Sequence, residues 1–431
     1  MHSIWEKNHV PGGFPALDKN IRTDVLIIGG GMCGLLCAYL LHHAGIDYQL
    51  VEAETLCTGI TKNTTAKITL QHGLIYDKLI RKFGPEKAEQ YLLANSSALK
   101  KYASLCQSID CGFEYKDSYV YSLDNRQKIA QEVAAYQQLG VPAEFCSTLP
   151  LPFPVAGAVK LTEQAQFHPL QFARGISKGL NIYEHTRVQE LIGTKAVTPD
   201  GTIQANKILV TTHFPFLSKH GCYFLKLYQH RSYVLALKNA PQLEGMYVDE
   251  SQTGMSFRNY QDLLLLGGGG HRTGKQGGGW QELRDFAMQY YPQAAECGHW
   301  ATQDCMSLDG VPYIGAYSGS TEGIYVATGF NKWGMTSSMA AAMLLSDLVQ
   351  GKENPNSPVF STTRSILHPQ LAVNAGEAVI NLLRPTAKRC PHLGCALKWN
   401  PQEHTWDCPC HGSRFTEDGR LIDNPATGDL K

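Results

Sequence analysis

The chain has 431 residues, 43% of them hydrophobic, and its 38 Lys plus Arg balance 38 Asp plus Glu for a formal net charge of zero. That length favours two or three structural units with a sizeable core. The balanced charge excludes the broadly basic surface that a nucleic-acid partner demands.

The most apolar stretch, 25–41, is broken by three consecutive glycines. It reads as strand, turn and helix rather than as a membrane span or signal peptide, so a cytoplasmic protein with no membrane span is expected. In that compartment the thirteen cysteines point to metal or catalytic chemistry where they cluster, and the nine scattered ones read as small core residues.

In chain order, TDVLII (23–28) is a β-rich run leading into GGGMCG, where Gly29, Gly31 and Gly34 match G-x-G-x-x-G. A helical pattern follows to Leu41, and a second apolar run ends at Glu52. This is a βαβ dinucleotide unit: the glycines allow a pyrophosphate to approach the helix N-terminus, and the carboxylate accepts from a ribose hydroxyl. FAD and NAD sites share it, so the fingerprint does not choose between them. Patterning over 76–105 predicts a surface helix pair, and strand-rich tracts follow at about 110–123 and 223–274. IYVATGFNKWGMT (324–336) reads as strand, turn and helix start. The helix after it, about 334–349, aims its positive end at the site, which suits a flavin ring that becomes anionic on reduction. GKENPNSPVFS (351–361) reads as a polar linker.

The final segment holds CPHLGC (390–395) and CPCHGS (408–413). Cys390, His392, Cys408 and His411 supply two thiolates and two imidazoles, the donor set of a [2Fe–2S] centre with cysteines on one iron and histidines on the other. The alternating run 396–407 around Asn400 and Pro401 predicts a hairpin that brings both loops to one tip. A Cys2His2 zinc site uses the same residues. The one-residue spacing of Cys390 and His392 and the surplus Cys395 and Cys410 favour iron–sulfur.

These loops resemble those of Rieske proteins, and the resemblance implies a bracing disulfide between Cys395 and Cys410. Gly412, Ser413, Phe415, Pro425 and Ala426 fit the downstream pattern. The pattern is shortened, because only about 376–389 leads into the first loop where Rieske domains place several strands. The two glycine segments together resemble the D-amino-acid oxidase-like FAD oxidoreductases, which include glycine and sarcosine oxidases, over about 24–348. This implies FAD and an α/β fold. A Rossmann-like (GR2-type) FAD-binding domain with an antiparallel-sheet substrate domain is followed by a small all-β Rieske domain.

The resemblance places FAD contacts at Gly29, Gly31, Gly34 and Glu52. Thr61, Thr64, Thr65, Ala66 and Lys67 in TGITKNTTAK follow, then Val188, Thr211 and Thr212, then Gly329, Trp333, Gly334, Met335 and Thr336. On the substrate side Arg231 and Arg258 are candidates for a substrate carboxylate, with Tyr228 and His230 as further contacts. Tyr233, His271 and His72 are other hydrogen-bonding groups, and no general base is assigned.

The expected layout is an oxidoreductase over 1–350, a linker over 351–365 and a shortened Rieske domain over 366–431. Within the first, FAD-binding parts fall at about 22–75, 155–215 and 300–350, and substrate-domain parts at about 110–150 and 216–299. The expected function is a dehydrogenase for a small amine, amino acid or hydroxy acid. It would pass electrons singly through the cluster to an external acceptor, a protein or a quinone-like molecule. The alternatives are a flavoenzyme with a structural or redox-sensing cluster, or a non-catalytic flavin and iron–sulfur carrier.

Overall fold

The structure, a computed structural model of the chain, describes residues 2–6, 11–217, 220–386 and 388–430. The strand Ile21–Ile28 lies parallel between Gly201–Val210 and Tyr48–Val51. The sheet extends to Ile324–Thr328 and Tyr313–Ala316 on one side and to Ile182–Tyr183 on the other. Leu26, Ile27, Ile208 and Leu209 are all buried, the unbroken apolar run required of parallel strands covered on both faces. Helix Met32–His43 packs against helix Gly334–Val349. Gly34 lets the first helix sit close on the turn that ends Ile21–Ile28: a Cβ there would lie 1.9 Å from the Gly29 carbonyl oxygen.

A second, nine-stranded sheet is mostly antiparallel and runs from Ala295–Ser307 through Leu227–Lys238 and Leu263–Arg272 to Glu114–Ser122 and Gly157–Gln166. It contains both tracts expected for the substrate domain. The expected helix pair is present as Tyr76–Phe83 and Pro85–Cys106, separated at Gly84.

The stretch expected as a linker is tied down. Val359 and Phe360 are buried, and the Arg364 guanidinium donates to both carboxylate oxygens of Asp309 (2.7 and 2.9 Å). The short lead-in is also more than a strand. Pro369–Leu383 is a helix, started by Pro369 and by the His368 ring accepting from the Gln370 N–H (3.2 Å). This helix precedes the antiparallel sheet of the C-terminal unit.

Beyond this helix, four short antiparallel strands form the last sheet, Lys398–Asn400, Thr405–Asp407, Arg414–Thr416 and Leu421–Asp423. The expected hairpin is there, with Lys398 opposite Asp407. Its buried core is Cys390, Cys395, Leu397, Cys408, Cys410, Phe415 and Ala426. A core built largely of the cluster-loop cysteines is too small to hold a unit of this size by itself. Among the described residues no helix is long and apolar enough to cross a membrane.

Candidate functional site

A cavity of about 770 Å³ opens at the carboxyl ends of Ile21–Ile28 and Gly201–Val210, the place where an open α/β sheet binds its ligand. Gly29 and Gly31 line it, followed by Glu52 and Val188, with Thr211 and Thr212 across from them. The Glu52 carboxylate accepts from Gly30 N (2.6 Å) and Glu54 N (2.9 Å), which fixes its orientation. Burial raises the Glu52 pKa against those bonds. Thr61 Oγ1 accepts from Met32 N (3.1 Å) at the start of the first helix.

The other end of the cavity is lined by Thr64, Thr65 and Lys67 and, opposite, by Trp333, Gly334 and Met335. Gly34, Ala66, Gly329 and Thr336 support these walls from behind. The Thr336 hydroxyl, for example, accepts from Thr69 N (3.0 Å). Arg258 is also behind the wall. It is fully buried and donates to the Thr65 and Ala66 carbonyls (2.6 and 2.9 Å), propping the loop rather than facing a substrate. Trp5, which sequence reasoning passed over, donates to the Thr64 carbonyl from the same side (2.7 Å).

Several charged or ring groups converge on this end. Burial, with Arg258 nearby, lowers the Lys67 pKa to about 7. His72 stacks on Trp333 (5.1 Å, 17°), is bonded to the Tyr91 hydroxyl (2.6 Å), and is held neutral by burial at about 3. Lys332, absent from the sequence candidates, donates to the Gln252 carbonyl (3.0 Å) and has Asp304 as its charged neighbour. Its place inside GFNKWGM was the available signal.

Of the four substrate-side candidates, Tyr228 alone lines the cavity. His230 is buried, and that burial pushes its pKa down to about 3. Arg231 points the other way and meets Glu403 of the C-terminal unit (Nε to Oε1, 3.0 Å). Tyr233 donates to the same carboxylate (3.1 Å), and Arg414 reaches its other oxygen (2.7 Å). The cation proposed for a substrate is thus engaged between domains.

The two cluster loops have matching backbones. Cys390 N donates to Cys395 O and Gly394 N to Cys390 O; Cys408 N donates to Ser413 O and Gly412 N to Cys408 O, all at 2.9 Å. The Cys390 and Cys408 thiols are close enough to shift each other's titration, and the His392 and His411 rings lie 5.0 Å apart at 88°. His411 Nδ1 is buried without a hydrogen-bond partner, which is costly unless something such as a metal takes its lone pair. This donor set fits a [2Fe–2S] centre with two sulfur and two nitrogen ligands. Cys395 and Cys410 are thiols here, and their sulfurs and that of Cys408 lie within 4.8 Å of one another.

The C-terminal unit is pressed onto the two larger sheets. Gly412 has a positive φ (84°), and a Cβ there would sit 2.2 Å from Gln229 Cγ. Gln303 donates to the Gly412 carbonyl (2.9 Å), and Arg272 donates to the carbonyls of Pro409 (3.2 Å) and Cys410 (3.3 Å). Phe214 lies 6.4 Å from the His392 ring and 6.3 Å from the His411 ring. The Asn424 amide donates to the Thr212 and Phe214 carbonyls, 2.7 Å each. Ile422, Asp423, Asn424, Ala426 and Thr427 form part of the cavity wall. The cavity is therefore closed on one side by the segment that carries the cluster loops.

Residues 24–348 match the family described as DAO, FAD dependent oxidoreductase, and 356–431 match the Rieske [2Fe-2S] domain. The chain belongs to the FAD-dependent oxidoreductase family. It is 37% identical over 496 residues to the Bacillus subtilis (strain 168) protein YhfW, whose name describes a Rieske 2Fe-2S iron-sulfur protein. That match covers 100% of this chain and 97% of the relative. The fold is similar to glycine oxidase from Geobacillus kaustophilus (TM-score 0.67, 20% identical, 80% of this chain and 99% of that one). It is also similar to L-proline dehydrogenase from P.horikoshii (TM-score 0.67, 14% identical, 80% and 98%). The chain is an FAD-dependent oxidoreductase carrying a Rieske domain, and its cofactors are FAD and a [2Fe–2S] cluster.

Proposed function

We propose that the chain is a dehydrogenase for a small amine, amino acid or hydroxy acid, and that electrons leave singly through the Rieske segment to an external acceptor. FAD supplies hydride acceptance from a C–H bond beside nitrogen or oxygen, and a [2Fe–2S] centre carries one electron at a time. Cys390 and Cys408 would hold one iron and His392 and His411 the other, with Cys395 and Cys410 bracing the loops. Gly29, Gly31, Thr61, Thr211 and Thr212 would cradle the FAD phosphates, and Thr64, Thr65, Lys67, Trp333 and Met335 would border the flavin.

The observation that carries the reading is the position of Phe214. Its chain neighbours Thr212 and His213 line the cavity, and its own ring packs against both cluster-loop histidines. Asn424 pins that junction through two carbonyls, which supports a fixed, short separation between the two cofactor sites. On the substrate side Lys332 and Tyr228 face the cavity, and a lysine there suits a substrate carboxylate. The neutral His72 orients Trp333 without adding charge. The solved neighbours named for glycine, L-proline and L-amino acid substrates support an amino-acid donor.

The test is anaerobic mixing of the holoprotein with a panel of amines, amino acids and hydroxy acids, followed by EPR. The expected result is flavin bleaching by one class and a reduced cluster signal with the low average g-value of a Rieske centre. A flavin that bleaches while the cluster stays oxidised, or turnover with a small one-electron oxidant that survives His411→Ala, would overturn the electron path.

A further inference from the structure

The helix Pro369–Leu383 is amphipathic in the reverse sense. Its buried side carries Asn374 and Asn381, the latter 0% exposed. Its outer side carries Val373, Val379, Ile380 (63% exposed) and Leu383 (78%), with Leu367 (84%) just before it. Those positions repeat at helical spacing and form one apolar stripe. The buried amides have structural partners: Asn374 Oδ1 accepts from Arg272 (2.8 Å), and the Asn381 amide nitrogen donates to the Glu377 carbonyl (2.7 Å), while the Asn381 backbone carbonyl accepts from Ala396 N (2.9 Å) just past the first cluster loop. Among the described residues the exposed stripe has no such account, and a contiguous apolar surface of this kind marks a contact site.

Charge and position indicate the occupant. The Arg389 guanidinium donates to the carbonyls of Leu382 (3.2 Å), Arg384 (3.0 Å) and Gly394 (2.8 Å). It therefore stitches the helix end to the loop that presents Leu393 (41% exposed), the neighbour of His392. Arg384, Lys388 and Arg389 are exposed at that end, and Lys275, Arg384, Lys398 and Trp399 line a shallow basic pocket beside it. The nearby Glu377 is taken by Lys275. The cations crowd the end beside the cluster loop instead of running along the helix, so attraction is strongest where an electron would be handed over. The histidine rings face inward to Phe214, which leaves Leu393 and its neighbours as the outward side of the loop.

We propose that this face docks the electron acceptor, and that the acceptor is a protein: an acidic one-electron carrier with an apolar contact patch. The proposal rests on the outward electron path proposed above. One electron passes from the reduced Rieske segment to the carrier, whose ferric haem, in the probe below, becomes ferrous.

The test uses the full holoprotein immobilised on a sensor surface, with an acidic soluble b-type cytochrome domain as probe and basic cytochrome c as counter-probe. The acidic probe should bind more tightly at low salt and weaken with added salt. Ile380→Asp and Arg384→Glu, both at exposed positions, should each weaken it by about tenfold or more while far-UV circular dichroism and flavin content stay unchanged. Both variants should keep full turnover with ferricyanide, which needs no docking face. Equal or tighter binding of basic cytochrome c would overturn the proposal. So would a dimer, seen by size exclusion and lost in Ile380→Asp, or sedimentation with anionic vesicles without cytochrome binding. The electron path fails separately: in that case His411→Ala leaves ferricyanide turnover intact whatever the docking result.

Discussion

Arg231 and Glu403 meet across the domain boundary as a buried ion pair, their side chains only 3% and 4% exposed. Arg414 shares the carboxylate and is itself bonded to Asp407 (3.0 Å) and Asp423 (3.1 Å). Taking these charges out of water is costly, and the network is tolerated because each charge is paired and hydrogen-bonded. It holds a small, core-poor unit against the substrate-domain sheet.

Removing one partner leaves the others buried and unpaired. Glu403→Gln should destabilise the docked C-terminal unit by about 3–5 kcal/mol. The expected signature in limited proteolysis is rapid cleavage near 351–365 while the flavin domain resists. Cleavage no faster than in the parent protein would count against the role given to Glu403.

The same carboxylate sets an acid limit. Burial opposes its charge, yet Arg231 and Arg414 hold its pKa down to about 2 against an ordinary 4.5. Because the folded value is lowered, its stabilisation is fully present above about pH 4.5 and is lost as pH falls towards 2. Docking should fail within that window in the parent protein, read by protease sensitivity of the C-terminal unit. Glu403→Gln should show no such transition.

Gly34 faces the Gly29 carbonyl so closely that a methyl group would sit 1.9 Å from its oxygen. Gly34→Ala should separate the first helix from its strand and leave purified protein with roughly a tenth or less of its FAD, since helix–strand contact here shapes the pyrophosphate site. The flavin absorbance of the purified variant checks this. The iron content should fall less than the flavin content.

Arg272 places a guanidinium on the carbonyls of Pro409 and Cys410, next to His411. A fixed positive charge there favours the reduced cluster. Arg272→Gln should lower the midpoint potential by on the order of 60 mV, a tenfold change in a one-electron equilibrium. Arg272→Lys should recover part of the shift. EPR-monitored titration reads both, and an unchanged potential in the Gln variant would refute the electrostatic role.

Iron removal should be a local event. The C-terminal core consists largely of the cluster-loop cysteines and a few apolar side chains, so metal binding and folding are coupled there. Chelation under reducing conditions should expose the C-terminal unit to protease without lowering the melting temperature of the flavin domain by more than a few degrees.

Sequence was most informative where function depends on consecutive residues. The turn at Gly29, Gly31 and Gly34 and the loops around Cys390 and Cys408 each impose a local backbone geometry that few residue types satisfy. Such constraints are written in spacing; in the structure Gly29 and Gly31 line the cavity, and the His392 and His411 rings lie 5.0 Å apart. Patterning also found the strand tracts and the helix pair around Gly84. It missed the Pro369–Leu383 helix because Asn374, Gly376 and Asn381 break the usual pattern, and because the helix turns its apolar side outward.

What sequence could not decide was the partner of each long polar side chain. Arg231 and Arg258 looked alike as strand arginines, yet one is bound by Glu403, 172 residues away, and the other props the loop at Thr65 and Ala66. Lys332 and Tyr228 face the cavity instead. Which charge meets which depends on how the sheets and the C-terminal unit pack, and the cost of burying an unpaired charge makes that choice only after folding. The amino-acid sequence by itself thus determined the cofactor-binding turns and cluster loops. The tertiary structure decided that the segment after the cluster loops, 422–427, closes one wall of the cavity and that the loops sit behind it, because only packing brings Phe214, His392 and His411 together.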